Sequence, residues 1–190
     1  MYPSAPGVSK DMRAHCVEDL ITCFDSLFSD SFNTRLIGGA DEPVYLPADA
    51  ETGFHRVIFT RDYFASALHE IAHWCLAGEQ RRQQVDYGYW YTEDGRTAEQ
   101  QKIFESVEVK PQAIEWMFSL ASGQKFSLSI DNLNGEYSDP IPFKLAVLAQ
   151  AKAYCVHGLP QRAALFHRQL VAQFNPTYQL SAENFSLDKL

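Results

Sequence analysis

Two histidines four residues apart, with a glutamate between them, constrain this chain more than any other feature: His69-Glu70-Ile71-Ala72-His73. That spacing is close to one helical turn, so both imidazoles project from one face and can share a metal ion. The flanks predict a helix. Asp62 is the expected N-cap, Phe64, Leu68, Ile71, Ala72, Trp74 and Cys75 recur at helical spacing, and Gly78 offers a C-terminal stop. His-Glu-x-x-His on a helix is the zinc-peptidase signature. Two histidines and a carboxylate with open positions also suit iron(II) oxygenases. The pattern therefore predicts a divalent metal before it predicts zinc or proteolysis. The plainer reading makes His69 and His73 ordinary helix residues, one buried and one solvated, and a buried imidazole must then find partners for both nitrogens.

A catalytic metal with two histidines takes a third protein ligand and keeps another position open. The third histidine of the elongated metzincin motif is absent, because Glu79 and then Gln80, Arg81 and Arg82 occupy that region. The ligand is instead expected from a second helix, where Glu105, Glu108 and Glu115 lie in the helical pattern of residues 97–121. Glu108 stands one turn from Phe104 and from Gln112, flanked by Val107 and Val109. An inward carboxylate there would need a cation to be tolerated, which makes Glu108 the first candidate and Glu105 the second. The bland alternative for each is a solvated helix glutamate. Glu70 has two readings. In a peptidase it is the general base, and in an oxygenase it is an outer carboxylate that orients a ligand or receives a substrate amine.

At 190 residues the chain has the length of one domain. Its 46% hydrophobic and 13% aromatic content excludes wholesale disorder. Residues 1–9 are expected to be a disordered lead-in without a secretory signal, and residues 10–190 a single domain. No apolar run approaches the ~20 residues needed to span a bilayer, so no membrane association is expected and the location is expected to be cytoplasmic. A net charge of −8 argues against nucleic acid and is compatible with a basic substrate. Cys16, Cys23, Cys75 and Cys155 form no Cys-x-x-Cys pair and are expected to be reduced, small hydrophobic residues.

Helices are expected at residues 10–29, 64–77, 97–121, 142–157 and 160–174, with Pro111 kinking or splitting the third. A short extended run is expected at 44–47, ending in proline, and strands at 56–60 and 126–130, while residues 32–39 read as the approach to a loop. The fold class is therefore α+β, a mostly helical single domain with a small β-sheet. The aromatic run Tyr87, Tyr89, Trp90 and Tyr91 could wall a pocket for an aliphatic ammonium. Asp86, Asp41 and Glu42 are candidate partners for its charge, with packing and loop solvation as the alternatives. His55, His157 and His167 read as structural.

Several blocks together resemble the bacterial elongation factor P hydroxylase family. They are Phe32-Asn33-Thr34-Arg35-Leu36, Asp41-Glu42-Pro43, Tyr45-Leu46-Pro47-Ala48, His69 through Cys75, Asp86 through Tyr91, and Val107 through Ala113. The likeness spans residues from about 17 to about 185. It implies hydroxylation of the β-lysylated lysine of translation elongation factor P, with that factor's lysine loop as partner. It also implies a metallopeptidase-like metal site on a helix. His69 and His73 match the family's histidine motif, and Glu108 falls in its glutamate block as the implied carboxylate ligand. Such chemistry needs a redox-active metal, Fe2+ by expectation, and molecular oxygen, since zinc does not change oxidation state. Nothing in the sequence places an arginine to clamp 2-oxoglutarate, with Arg35, Arg56, Arg81 and Arg96 as the candidates. The alternative function is a zinc metallopeptidase with the same ligands and Glu70 as base.

Overall fold

These patterns resolve, in a computed structural model that describes residues 16–87, 95–130 and 139–190, into helices packed around one small sheet. Helix α1 (Val17–Phe32) leads into strands β1 (Thr34–Ala40), β2 (Val44–Leu46) and β3 (His55–Thr60). Helix α2 (Phe64–Leu76), α3 (Ala98–Ser122), α4 (Ile141–His157) and α5 (Gln161–Phe174) follow. The expected lead-in at residues 1–9 lies outside the described residues. No helix of the described residues is long and apolar enough to cross a membrane.

The sheet has the order β1-β3-β2, so the strand feeding α2 is central. It pairs parallel with β1, Leu36 opposite Val57, and antiparallel with β2, Tyr45 opposite Val57. Strand β1 corrects the expectation of a loop approach at 32–39. Its Gly38 lies so close to Phe59 that an added Cβ would stand 2.7 Å from the ring. The glycines that read as loop therefore serve close backbone approach within a strand. Residues 126–130, expected as a strand, form no strand of this sheet.

A tight turn carries β3 into α2, with Arg61 in the left-handed region at φ 48°. Tyr63, not Asp62, is the N-cap, and no side chain caps the helix there. Its other end is held firmly. Arg162 of α5 donates to the carbonyls of Trp74, Cys75 and Ala77 at 2.8, 3.0 and 2.5 Å, and Arg82 donates to Ala77 at 2.8 Å. These guanidinium groups satisfy the carbonyls a helix end leaves unpaired. Arg162 also lies over Trp74, 4.6 Å from its ring centre.

Helix α3 runs unbroken through Pro111. Every residue from 111 to 119 is buried, between two apolar clusters. On one side Ile114, Phe118 and Ala121 meet α1, α2, α5 and the sheet. On the other Ala113, Trp116 and Met117 meet Phe126, Phe185 and α4. Burial on two faces offsets the ~3 kcal/mol cost of an internal proline. All four cysteines are free, and Cys16 is exposed rather than packed as expected.

His167 on α5 is buried, and its Nε2 has no hydrogen-bond partner among the described residues. Burial holds its pKa down at about 4, from an ordinary 6.5. Between those values the unfolded chain binds a proton that the folded chain refuses, so stability falls as pH drops below 6.5 and the loss levels off near 4. Urea unfolding of wild type and His167→Leu should show the wild type losing about 2 kcal/mol more than the variant between pH 7 and pH 5. Equal losses in the two proteins would contradict this account.

Candidate metal centre

Helices α2 and α3 bring three ligating groups together. His69 and His73 project from α2, and Glu108 from α3, with one ligand atom of each within 4.8 Å of the others. The imidazole Nε2 atoms are 3.0 Å apart. His73 Nε2 is 3.2 Å from Glu108 Oε1, and His69 Nε2 is 3.7 Å from Glu108 Oε2. An ion about 2.1 Å from each atom, with roughly 90° to 109° between bonds, spaces its ligands about 3.0 to 3.4 Å apart. The edge between the imidazoles falls in that range, and the carboxylate brings a different oxygen close to each ring, 3.2 Å from His73 and 3.7 Å from His69.

The electrostatics fit as well. Burial works against ionisation of Glu108, yet His73, His69 and the Gln112 amide hold its pKa at about 2. Burial also works against a charged His69, but Glu115, then Glu108 and Glu70, outweigh it and pull its pKa up to about 10. The proton on His69 supplies a positive charge that these carboxylates demand, and a metal cation would replace it. Burial pushes the Glu70 carboxyl above its usual range, only partly offset by His69 and His73.

The three groups lie in a cleft of about 550 Å³. Glu70, Glu115, Phe104 and Gln112 line it, with Asp41, Glu42 and Tyr87 also on its wall. Residues 126–130 flank it through Ser127 and Ser129. Gln112 holds that segment as a neighbouring strand would: its Nε2 donates to the Ser129 carbonyl at 2.8 Å, and its Oε1 accepts from the Ser129 N–H at 3.0 Å. Arg96 and Gln101 both donate to the Ile130 carbonyl, at 3.2 and 3.4 Å.

The remaining candidates are placed as follows. Glu105 accepts from Gln101 at 3.1 Å and is not among the three converging groups. Asp86 forms a two-point ion pair with Arg81, at 2.6 and 2.5 Å, and pairs its backbone with Tyr45. It lines a second cavity of about 30 Å³ that shares Glu70 and His73 with the main cleft. Tyr89 and Tyr91 lie outside the described residues. Of the four arginines considered for a co-substrate, Arg96 lines the cleft, engaged with Gln101, Ile130 and the Phe104 ring. Arg35 lies over Phe54, Arg56 pairs with Asp49, and Arg81 with Asp86.

Two neighbours of these three groups make contacts that the sequence pattern alone does not assign. Glu115 accepts from His69 Nδ1 at 2.7 Å, and Gln112 Nε2 reaches Glu108 Oε2 at 3.3 Å. The signal lies in the spacing. Glu108, Gln112 and Glu115 stand at i, i+4 and i+7, one polar stripe in a buried stretch.

Residues 23–185 match a family described as Elongation factor P hydroxylase. A protein of Haemophilus influenzae described as "Elongation factor P lysine hydroxylase" is 47% identical over 173 residues, 91% of this chain and 97% of that protein.

Proposed function

We propose that this chain, because it belongs to the elongation factor P hydroxylase family, hydroxylates a lysine of translation elongation factor P. The observation that carries the mechanism is the convergence of His69, His73 and Glu108 on the floor of an acidic cleft. These residues would hold a divalent ion, Fe2+ in our reading, at a metallopeptidase-like site on a helix. Bound there, the ion supplies the activation of molecular oxygen that no side chain can provide. The kinship gives no support to the peptidase alternative.

The chain's own residues then bind and orient the substrate. Asp41 and Glu42 give the cleft a negative wall that attracts an ammonium group. Phe104 and Tyr87 offer apolar faces to the methylenes of a lysine-type chain. Glu70, beside the ligands, receives the amine or orients the reacting end. Asp86, Tyr89 and Tyr91 are further candidates for substrate contact. The substrate is the β-lysylated lysine loop, encountered in the cytoplasm.

The test uses full-length protein purified without oxygen and loaded with Fe2+, mixed with β-lysylated elongation factor P, a reductant and air. Intact-mass spectrometry should find one added oxygen atom on the factor. Cleavage of the factor without oxygen uptake would overturn the reading.

A further inference from the structure

We propose that Glu115 and Gln112 are positioning residues of the metal centre, holding His69 and Glu108 respectively in the pose that binds the ion. The inference rests on the reading that His69, His73 and Glu108 bind a metal.

An imidazole can turn about its side-chain bonds and can carry its proton on either nitrogen. A carboxylate only accepts, so the 2.7 Å contact requires His69 to donate Nδ1–H to Glu115. In the neutral ring that leaves the lone pair on Nε2, the atom 3.0 Å from His73 Nε2 and 3.7 Å from Glu108. Glu115 thus selects both the tautomer and the rotation of its ligand. Its side chain is only 9% exposed, and its own backbone carbonyl accepts from Ser119 at 2.9 Å. The supporting carboxylate is therefore held in the protein interior, on a buried stretch of α3.

Gln112 does the equivalent for Glu108. Its amide nitrogen spends one hydrogen on Glu108 Oε2 and the other on the Ser129 carbonyl, and its oxygen accepts from the Ser129 N–H. Each end of that amide is engaged, which fixes its orientation without choice. Ligand and cleft wall are tied through one side chain. Both supports come from the same helix as Glu108, so the spacing of α3 sets three contacts at once.

Co2+ alone serves as the probe, titrated into full-length protein by calorimetry and visible absorption, with melting of the metal-free protein measured beside it. Glu115→Ala should weaken Co2+ binding about 10- to 100-fold. Glu115→Gln, which keeps an acceptor oxygen and loses the charge, should fall between that variant and wild type. Gln112→Leu should weaken binding about tenfold and alter the Co2+ absorption bands. Folded variants that bind Co2+ as wild type does, with unchanged bands, would overturn the proposal, even if they melt earlier. Should Glu115→Ala fail to fold, the same titrations of Glu115→Gln and Gln112→Leu decide between these outcomes. Wild-type protein that is folded and takes up no Co2+ would instead overturn the metal reading itself.

Discussion

Glu108→Gln is expected to abolish oxygen transfer to elongation factor P, while Glu105→Gln leaves it within about two- to threefold of wild type. The two glutamates are three residues apart on α3 and differ in what they face. Glu108 is almost wholly buried, its oxygens 3.2 and 3.7 Å from the two histidines. Glu105 is half-buried and bonded to Gln101, away from the converging atoms. Glutamine keeps the shape of Glu108 and removes the charge that two imidazoles and a dication require. The loss should exceed the roughly 100-fold ceiling expected for a residue that merely supports a ligand. Intact mass of the factor after a fixed time, with metal content measured on each variant, checks this. Full activity in Glu108→Gln, or a dead Glu105→Gln, would move the third ligand elsewhere.

Trp116→Ala should lose about 3 to 5 kcal/mol of stability, read as a lower urea midpoint at unchanged slope. Trp116 is 1% exposed. It stacks on Phe126 at 5.5 Å between ring centres and meets the edge of Phe185 at 4.8 Å. It thus joins α3 to the base of the 126–130 segment and to the chain's C-terminal end, and truncation leaves a void between those rings. Because Phe126 begins the segment that flanks the cleft, the variant's KM should rise more than its kcat falls while it remains folded. A stability loss below about 1 kcal/mol would mean that Phe126 and Phe185 close the gap.

The histidine helix is legible in the sequence because its apolar spacing and its chemistry agree over one short stretch. The convergence of Glu108 with the histidines is legible in part, because it stands one turn from Phe104 and from Gln112, both buried, although its neighbour Val107 is exposed. Strand β1 is not, because Gly38 and Gly39 carry loop-like signals, and the close approach of Gly38 to Phe59 is a tertiary fact. Residues 126–130 have strand chemistry, yet among the described residues the Ser129 and Ile130 backbones are met by the side chains of Gln112, Gln101 and Arg96. Of the kink or split expected at Pro111, the split is absent because burial on both flanks of α3 outweighs the lost hydrogen bond. The partner of His69 Nδ1 lies 46 positions along the chain, and spacing alone could not tell which of Glu105, Glu108 and Glu115 meets which histidine.

Arg162 grips α2 from a position 85 to 88 residues downstream of the carbonyls it holds. During synthesis, both histidines and Glu108 leave the ribosome well before that latch does. The growing chain can therefore own every donor atom and still lack a firm seat for the ion. Any metal ion that the cleft takes would then be seated firmly only after the α5 segment has emerged and closed on α2.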